Sequence, residues 1–170
     1  MNTERLLLRS IIPSDLANIF SGLSDPGVIK YYGVSYTTLK KTEEQMLWFS
    51  YLEKNKMGKW WAIADSSDTV FYGGIGINNL DILHRKAEIG FWLLPAYWGN
   101  GFIIEAAHQV LKYCFETLNL HRVEALVETE NANSKSVLQK LGFEYEGTMK
   151  DCEIKNGKFI SIAIFVKFSK

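Results

Sequence analysis

One unbroken segment in the middle of the chain constrains the fold more than any other. Glu88-Ile89-Gly90-Phe91-Trp92-Leu93-Leu94 reads as a buried strand. Pro95 to Gly101 reads as a short connection that contains Gly99 and Gly101. Ile103 to Leu118 reads as the strongest helix, with Ile103, Ala107, Val110, Leu111, Cys114 and Leu118 on one stripe. A strand that runs straight into an amphipathic helix commits the chain to a sheet covered by helices. The two glycines let the backbone turn sharply and approach a ligand closely. The first N–H groups of the helix, with its dipole behind them, offer an anion site. A plain tight connection is an equally good reading of this fragment alone. Position 104 is Ile, so this is not the three-glycine dinucleotide fingerprint, and no Gly-Lys-Ser/Thr phosphate loop is present.

The remaining pattern fits one sheet with helices on its faces. Arg5–Arg9, Trp60–Ala64, Phe71–Leu80, Val123–Glu128 and Phe159–Phe168 read as further strands. Gly73, Gly74 and Gly76 suggest a bulge in the Phe71–Leu80 strand. Pro13-Ser14-Asp15 opens a helix through Leu16, Ile19, Phe20 and Leu23, which Asp25-Pro26-Gly27 ends. Residues 31–40 read as a loop. Thr42-Glu43-Glu44-Gln45 has the form of a capping box that opens a helix carrying Met46, Phe49 and Leu52. Ser134–Leu141 reads as a short helix, and Lys150-Asp151-Cys152-Glu153 as a polar turn. No linker or repeat divides the 170 residues, so residues 1–170 are expected to form a single domain.

Charge removes several function classes. Lys plus Arg and Asp plus Glu both total 19, and a net charge of zero argues against coating nucleic acid or lying on a membrane. Arg only at positions 5, 9, 85 and 122 leaves little for repeated bidentate phosphate or base recognition, and a pyrophosphate would fit the helix start without any arginine. Cys114 and Cys152 are too few for a disulfide framework or a four-cysteine zinc site, and no metal-spaced histidine cluster occurs, so no metal is expected. The start of the chain has no apolar leader and no stretch is long enough to span a membrane, which points to a cytoplasmic protein.

Taken in order, several segments form a recognisable series. They are Thr3-Glu4-Arg5-Leu6-Leu7-Leu8-Arg9, Ala87-Glu88-Ile89-Gly90-Phe91-Trp92-Leu93, Trp98-Gly99-Asn100-Gly101-Phe102-Ile103-Ile104-Glu105-Ala106, Leu120-His121-Arg122-Val123-Glu124-Ala125, and Glu130-Asn131 through Gly142-Phe143. The chain resembles a GNAT-fold N-acetyltransferase of the RimJ/RimL branch, the ribosomal-protein-alanine N-acetyltransferases. That resemblance implies an α+β fold with a central, mostly antiparallel sheet, splayed fourth and fifth strands, and helices on both faces. It implies acetyl-CoA as donor and a primary amine as acceptor, either a protein N-terminus or a small amine, and a homodimer. It places the pantetheine arm against the backbone of Phe91, Trp92, Leu93 and Leu94, with a contact from Asn131. It places the diphosphate on the loop Trp98, Gly99, Asn100, Gly101, Phe102 and Ile103. In that branch Ser134 would be the acid for the leaving thiolate and Glu153 the base for the amine. The last strand departs from the branch's Asp and Tyr, with Ser161 and Phe165 in their places, and this bears on acceptor recognition.

The chemistry needs proximity, a neutral amine, a stabilised oxyanion and a protonated leaving group. Proximity can supply roughly 7–11 kcal/mol. An α-amine, with a pKa of about 7.7–8.0, is neutralised more easily than a lysine of about 10.4. Glu88 competes with Glu153 for the base, and either could be an ordinary solvated carboxylate. Ser134 could equally be the N-cap of its helix. Cys114 is expected in the core and Cys152 nearer the surface. Trp48, Trp60, Trp61, Tyr31 and Tyr32 are candidates for the acceptor cleft. A polyamine site would need an acidic pocket, which Asp151 with Glu153 and Glu43 with Glu44 do not obviously supply. A non-catalytic acyl-CoA-binding module is the alternative outside enzymology.

Overall fold

The computed structural model describes residues 1–170. Seven strands form one sheet: β1 (Leu6–Ser10), β2 (Lys59–Asp65), β3 (Phe71–Asp81), β4 (Lys86–Leu93), β5 (Arg122–Glu128), β6 (Glu144–Lys155) and β7 (Lys158–Phe168). Their order is β1-β2-β3-β4-β5-β7-β6, and only β4 and β5 run parallel. The helices are α1 (Leu16–Leu23), α2 (Pro26–Ile29), α3 (Leu39–Lys54), α4 (Phe102–Lys112) and α5 (Ala132–Lys140). This is the expected α+β arrangement. No helix is long and apolar enough to cross a membrane.

Two-residue alternation sorts the strand side chains into two cores. Trp61 and Ile63 of β2, Ile89 and Leu93 of β4, and Val123 and Ala125 of β5 join the larger core under α4 and α5. Trp60 and Ala62 of β2 and Trp92 of β4 point the other way, into a smaller core with Ile19 and Leu23 of α1 and Phe49 and Leu52 of α3. The part of the sheet formed by β2, β3 and β4 is thus buried on both faces. Helix α1 comes so close that a Cβ on Gly22 would lie 2.0 Å from the Trp92 ring.

Several boundaries differ from the sequence reading, each for a local reason. Asp25-Pro26-Gly27 does more than end α1. The Asp25 carboxylate accepts from the N–H groups of Gly27 (2.8 Å) and Val28 (3.2 Å), and so caps α2. Helix α3 starts at Leu39, because extended Thr38 accepts from the Lys41 N–H; Thr42 lies inside the helix, fully buried. The long central helix keeps α geometry only to Lys112 and then relaxes into a π turn, Tyr113–Thr117. Residues 150–153 are not a turn but part of β6. The β6–β7 register shifts between Met149 and Glu153, where Asp151 takes a φ of 48° and its N–H donates to Ser161 Oγ (3.0 Å).

One ion-pair cluster ties β1 to α1. Arg9 donates two bonds to Asp15, at 2.7 and 2.8 Å, and a third to Asp68 at 2.6 Å. The Asp15 side chain is only 4% exposed, against 40% for Asp68. Removing Arg9 strands the buried charge of Asp15, whereas neutralising Asp68 breaks only an exposed pair and leaves Arg9 bound to Asp15. Arg9→Met is therefore expected to cost about 3 kcal/mol or more in urea unfolding, and Asp68→Asn less than about 1 kcal/mol. Equal small losses would contradict this.

Candidate active site

Strands β4 and β5 pair over only three rungs, Lys86, Ala87 and Glu88 against Arg122, Val123 and Glu124. Beyond that point β4 remains paired to β3 alone. The Leu94 N–H donates to the Tyr72 carbonyl of β3 (2.9 Å). By strand alternation the amides of Trp92 and Gly90 also face β3, while those of Phe91 and Leu93 face the gap beside β5. Trp98 closes the far end of that gap: its indole Nε1 donates to the Leu93 carbonyl (2.9 Å). Of the residues Phe91 to Leu94 assigned to the donor, Phe91 and Leu93 offer open backbone. Trp92 acts chiefly as a wall, its ring buried against Gly22 and Phe71.

The loop after β4 has the form its glycines imply. Gly99 and Gly101 take φ of +78° and +77°, the left-handed region that a side chain disfavours. Asn100 Nδ2 knits the loop by donating to the carbonyls of Tyr97 (3.2 Å) and Trp98 (3.1 Å). The first amide to regain a backbone partner is that of Glu105, on the Gly101 carbonyl (3.1 Å); those of Gly99 to Ile104 have none within the chain. Phe102 stacks on Tyr72 with a centroid separation of 4.6 Å, and Ile103 is buried in the larger core, so the helix start is held firmly. A row of unpaired amides at the N-terminus of an eleven-residue helix is suited to an anion.

A cleft of about 1270 Å³ joins this loop and the strand gap to an aromatic chamber walled by Tyr32, Trp48 and Trp60. Tyr31 also lines it, but Trp61 does not: it lies on the opposite face of the sheet, edge-on to Tyr113. The Tyr36 hydroxyl donates to buried Gln45 (2.9 Å), and Trp60 Nε1 donates to Asn78 (2.6 Å), which fixes the chamber's walls. Glu88 and Ser134 both line the cleft. Glu153 does not; it is exposed on β6.

Glu88 stands on the last shared rung, and its Oε2 accepts from Asn79 Nδ2 (3.0 Å). Burial raises its pKa above the ordinary carboxylate value. The Asn79 bond works against that rise, and the nearby charges of Glu124 and Glu153 add to it. Glu124 is ion-paired with Arg122 (2.9 Å), which also forks onto Glu146. Burial raises the Tyr32 phenol in the same way, with Tyr36 and Glu88 adding to the effect. Ser134 is not the N-cap of α5. That role falls to Asn131, whose Oδ1 accepts from the Ser134 N–H (3.1 Å), leaving its amide nitrogen and the serine hydroxyl for the cleft. Cys114 is buried and Cys152 exposed.

This geometry has relatives. The family model described as the acetyltransferase (GNAT) domain matches residues 5–144. The uncharacterized N-acetyltransferase YoaA of Bacillus subtilis (strain 168) is 35% identical over 158 residues, spanning 92% of this chain and 89% of its own. A spermidine N-acetyltransferase from Vibrio cholerae, solved with CoA and spermine, superposes with a TM-score of 0.86 at 22% identity, over 98% of this chain and 96% of that one. RimL, a ribosomal L7/L12 alpha-N-protein acetyltransferase solved with coenzyme A, superposes with a TM-score of 0.88 at 19% identity, over 98% of this chain and 95% of that one. The chain belongs to the GNAT acetyltransferase family. It is an acetyl-CoA-dependent N-acetyltransferase.

The loop's role can be separated from its stability. At Gly101 an added Cβ meets only Arg5, at 3.7 Å, so alanine there costs mainly backbone strain, about 1 kcal/mol. By turning the amides, Gly101→Ala is expected to weaken CoA binding about tenfold or more in calorimetry. Gly147→Ala, where the added carbon meets nothing within 4 Å and φ is unstrained, should leave CoA affinity unchanged. Equal affinities in the two variants would contradict the loop's assignment.

Proposed function

We propose that the enzyme acetylates the α-amine of a protein N-terminus, most naturally that of a ribosomal protein, by direct attack of the amine on the donor's thioester. The observation that carries this reading is Glu88, a half-buried carboxylate with a raised pKa at the fork of β4 and β5, in the same cleft as the Ser134 hydroxyl. A raised carboxylate pKa comes closer to that of an α-ammonium, so the proton transfer between them costs less than it would from a lysine. Glu88 takes the ammonium proton. The amine's lone pair forms the C–N bond as the C–S bond breaks, and the second nitrogen proton leaves through water. Ser134 gives its proton to the departing thiolate and regains one from solvent. The open N–H groups of Phe91 and Leu93 support the developing oxyanion. The diphosphate rests on the amides from Gly99 to Ile104, and Asn131 Nδ2 reaches the pantetheine arm. Glu153 tunes Glu88 by its charge and is not itself the base.

A second reading rests on a different observation. Glu88, Glu124 and Glu153 lie on one face of the sheet, the acidic surface missing from the sequence reading, and neither Glu88 nor Glu153 has a cationic partner. A polyamine could place a second ammonium there. Acetyl-CoA offered with N-terminal peptides, lysine peptides and polyamines side by side separates the two. Thiol release highest with N-terminal peptides is expected; release with polyamines alone would favour the second reading, and CoA binding with no release from any amine would favour a binding module.

The pH profile tests the base. As pH falls through the raised pKa of Glu88, the carboxylate protonates and kcat declines, so the acid limb lies above the ordinary Glu value of about 4.3. Glu153→Gln removes a like charge and should move the limb to lower pH. Asn79→Ala removes the bond that favours the carboxylate and should move it to higher pH. Glu88→Gln should lower kcat roughly 10²–10⁴-fold. Loss of activity in Glu153→Gln with Glu88→Gln unaffected would reverse the assignment.

A further inference from the structure

The opening of the chain meets the donor loop in a way the reaction itself does not call for. Arg5 reaches Glu105 in the first turn of α4, with Nε at 2.7 Å and Nη2 at 2.7 Å from Oε2. Its backbone N–H also donates to Oε1 (3.0 Å), and the Thr3 hydroxyl bonds the same oxygen. The other arm of the guanidinium, Nη1, donates to the carbonyl of Asn100 between the two glycines (3.2 Å). The guanidinium lies over the Phe102 ring, 4.9 Å from its centroid. The segment carrying these groups is itself fixed, since the N-terminal ammonium donates to the Leu8 carbonyl (2.6 Å) and the Leu6 N–H to Thr3 Oγ1 (2.8 Å).

We propose that Arg5 is a positioning residue for the donor: clamped by Glu105 and gripping the Asn100 carbonyl, it holds the loop in the conformation that turns the Gly99–Ile104 amides toward the diphosphate. Two physical needs meet in this one side chain. Two left-handed glycines make the loop easy to bend and therefore easy to misplace, and a fixed hydrogen bond on the carbonyl between them removes that freedom. Glu105 puts a negative charge beside a site meant for an anion, against the usual benefit of the helix start, and Arg5 offsets it. Burial favours the neutral form of Glu105, but the bonds from Thr3 and from both the backbone and side chain of Arg5 outweigh it and hold the carboxylate ionised. With Nε and Nη2 on Glu105 and Nη1 on Asn100, the guanidinium acts from behind the loop and is not a phosphate ligand.

The inference rests on the diphosphate lying at this loop, and the test keeps the two questions apart. Calorimetry of the wild-type protein with CoA comes first; no binding there would overturn the donor site itself. Arg5→Met is then expected to raise the Kd for CoA and the KM for acetyl-CoA by about tenfold, the scale of one charge-assisted hydrogen bond, while the acceptor KM and the kcat at saturating donor change less than about twofold. Arg5→Lys keeps the charge without the fork and should fall between. Glu105→Ala decides between a strut and a phosphate ligand: a strut predicts weaker CoA binding, because Arg5 loses its anchor. Unchanged or tighter binding in Glu105→Ala, or an unchanged KM for acetyl-CoA in a folded Arg5→Met, would overturn the proposal.

Discussion

The site depends on a ladder that stops. Parallel β4 and β5 share three rungs and then part, so the open backbone of Phe91 and Leu93 faces a gap that a strand would otherwise fill. Both limits of the gap are built from side chains. At the closed end the last rung sets Glu88 against Glu124, like charges side by side, a pairing that does not favour continuing the ladder. At the open end the Trp98 indole takes the Leu93 carbonyl, so that group is satisfied without a neighbouring strand. The length of the gap follows from these two points, and the two-glycine loop begins directly beyond it.

The loop solves a second problem with the same economy. The chain has arginine at only four positions, and Arg9 and Arg122 are committed to carboxylates. What the loop offers an anion is backbone, six consecutive amides from Gly99 to Ile104 with no partner in the chain. Backbone is specific only when its conformation is fixed. Asn100 fixes the loop from within, Phe102 on Tyr72 fixes the helix start, and Arg5 reaches it from just before β1. Glu88 stands at the closed end of the gap, and its burial comes from the surrounding fold and not from its own segment.

What could be read from the sequence was what is local. The strand, the glycine turn and α4 were legible because period-two and helical patterns abut within twenty residues and both glycines need positive φ. Strand β6 was not, because it is an outer strand with most residues exposed and two register shifts, so no alternation survives. The start of α3 was misplaced because Thr42-Glu43-Glu44-Gln45 imitates a cap more closely than Thr38 does; only packing reveals that Thr42 is buried. That Glu88 is half-buried in the cleft and Glu153 exposed outside it left no mark in the sequence, because burial and the Asn79 bond are set by strand pairing. The Arg5–Glu105 clamp joins residues 100 positions apart and left no local signal.

Amide hydrogen exchange along β4, with and without CoA, tests the parted ladder most directly. In the free protein the amides of Phe91 and Leu93 should exchange rapidly while those of Gly90 and Trp92 are protected by β3, and CoA should slow Phe91 and Leu93 selectively. Protection of all four amides in the free protein, or binding of CoA with no change at Phe91 and Leu93, would contradict the account.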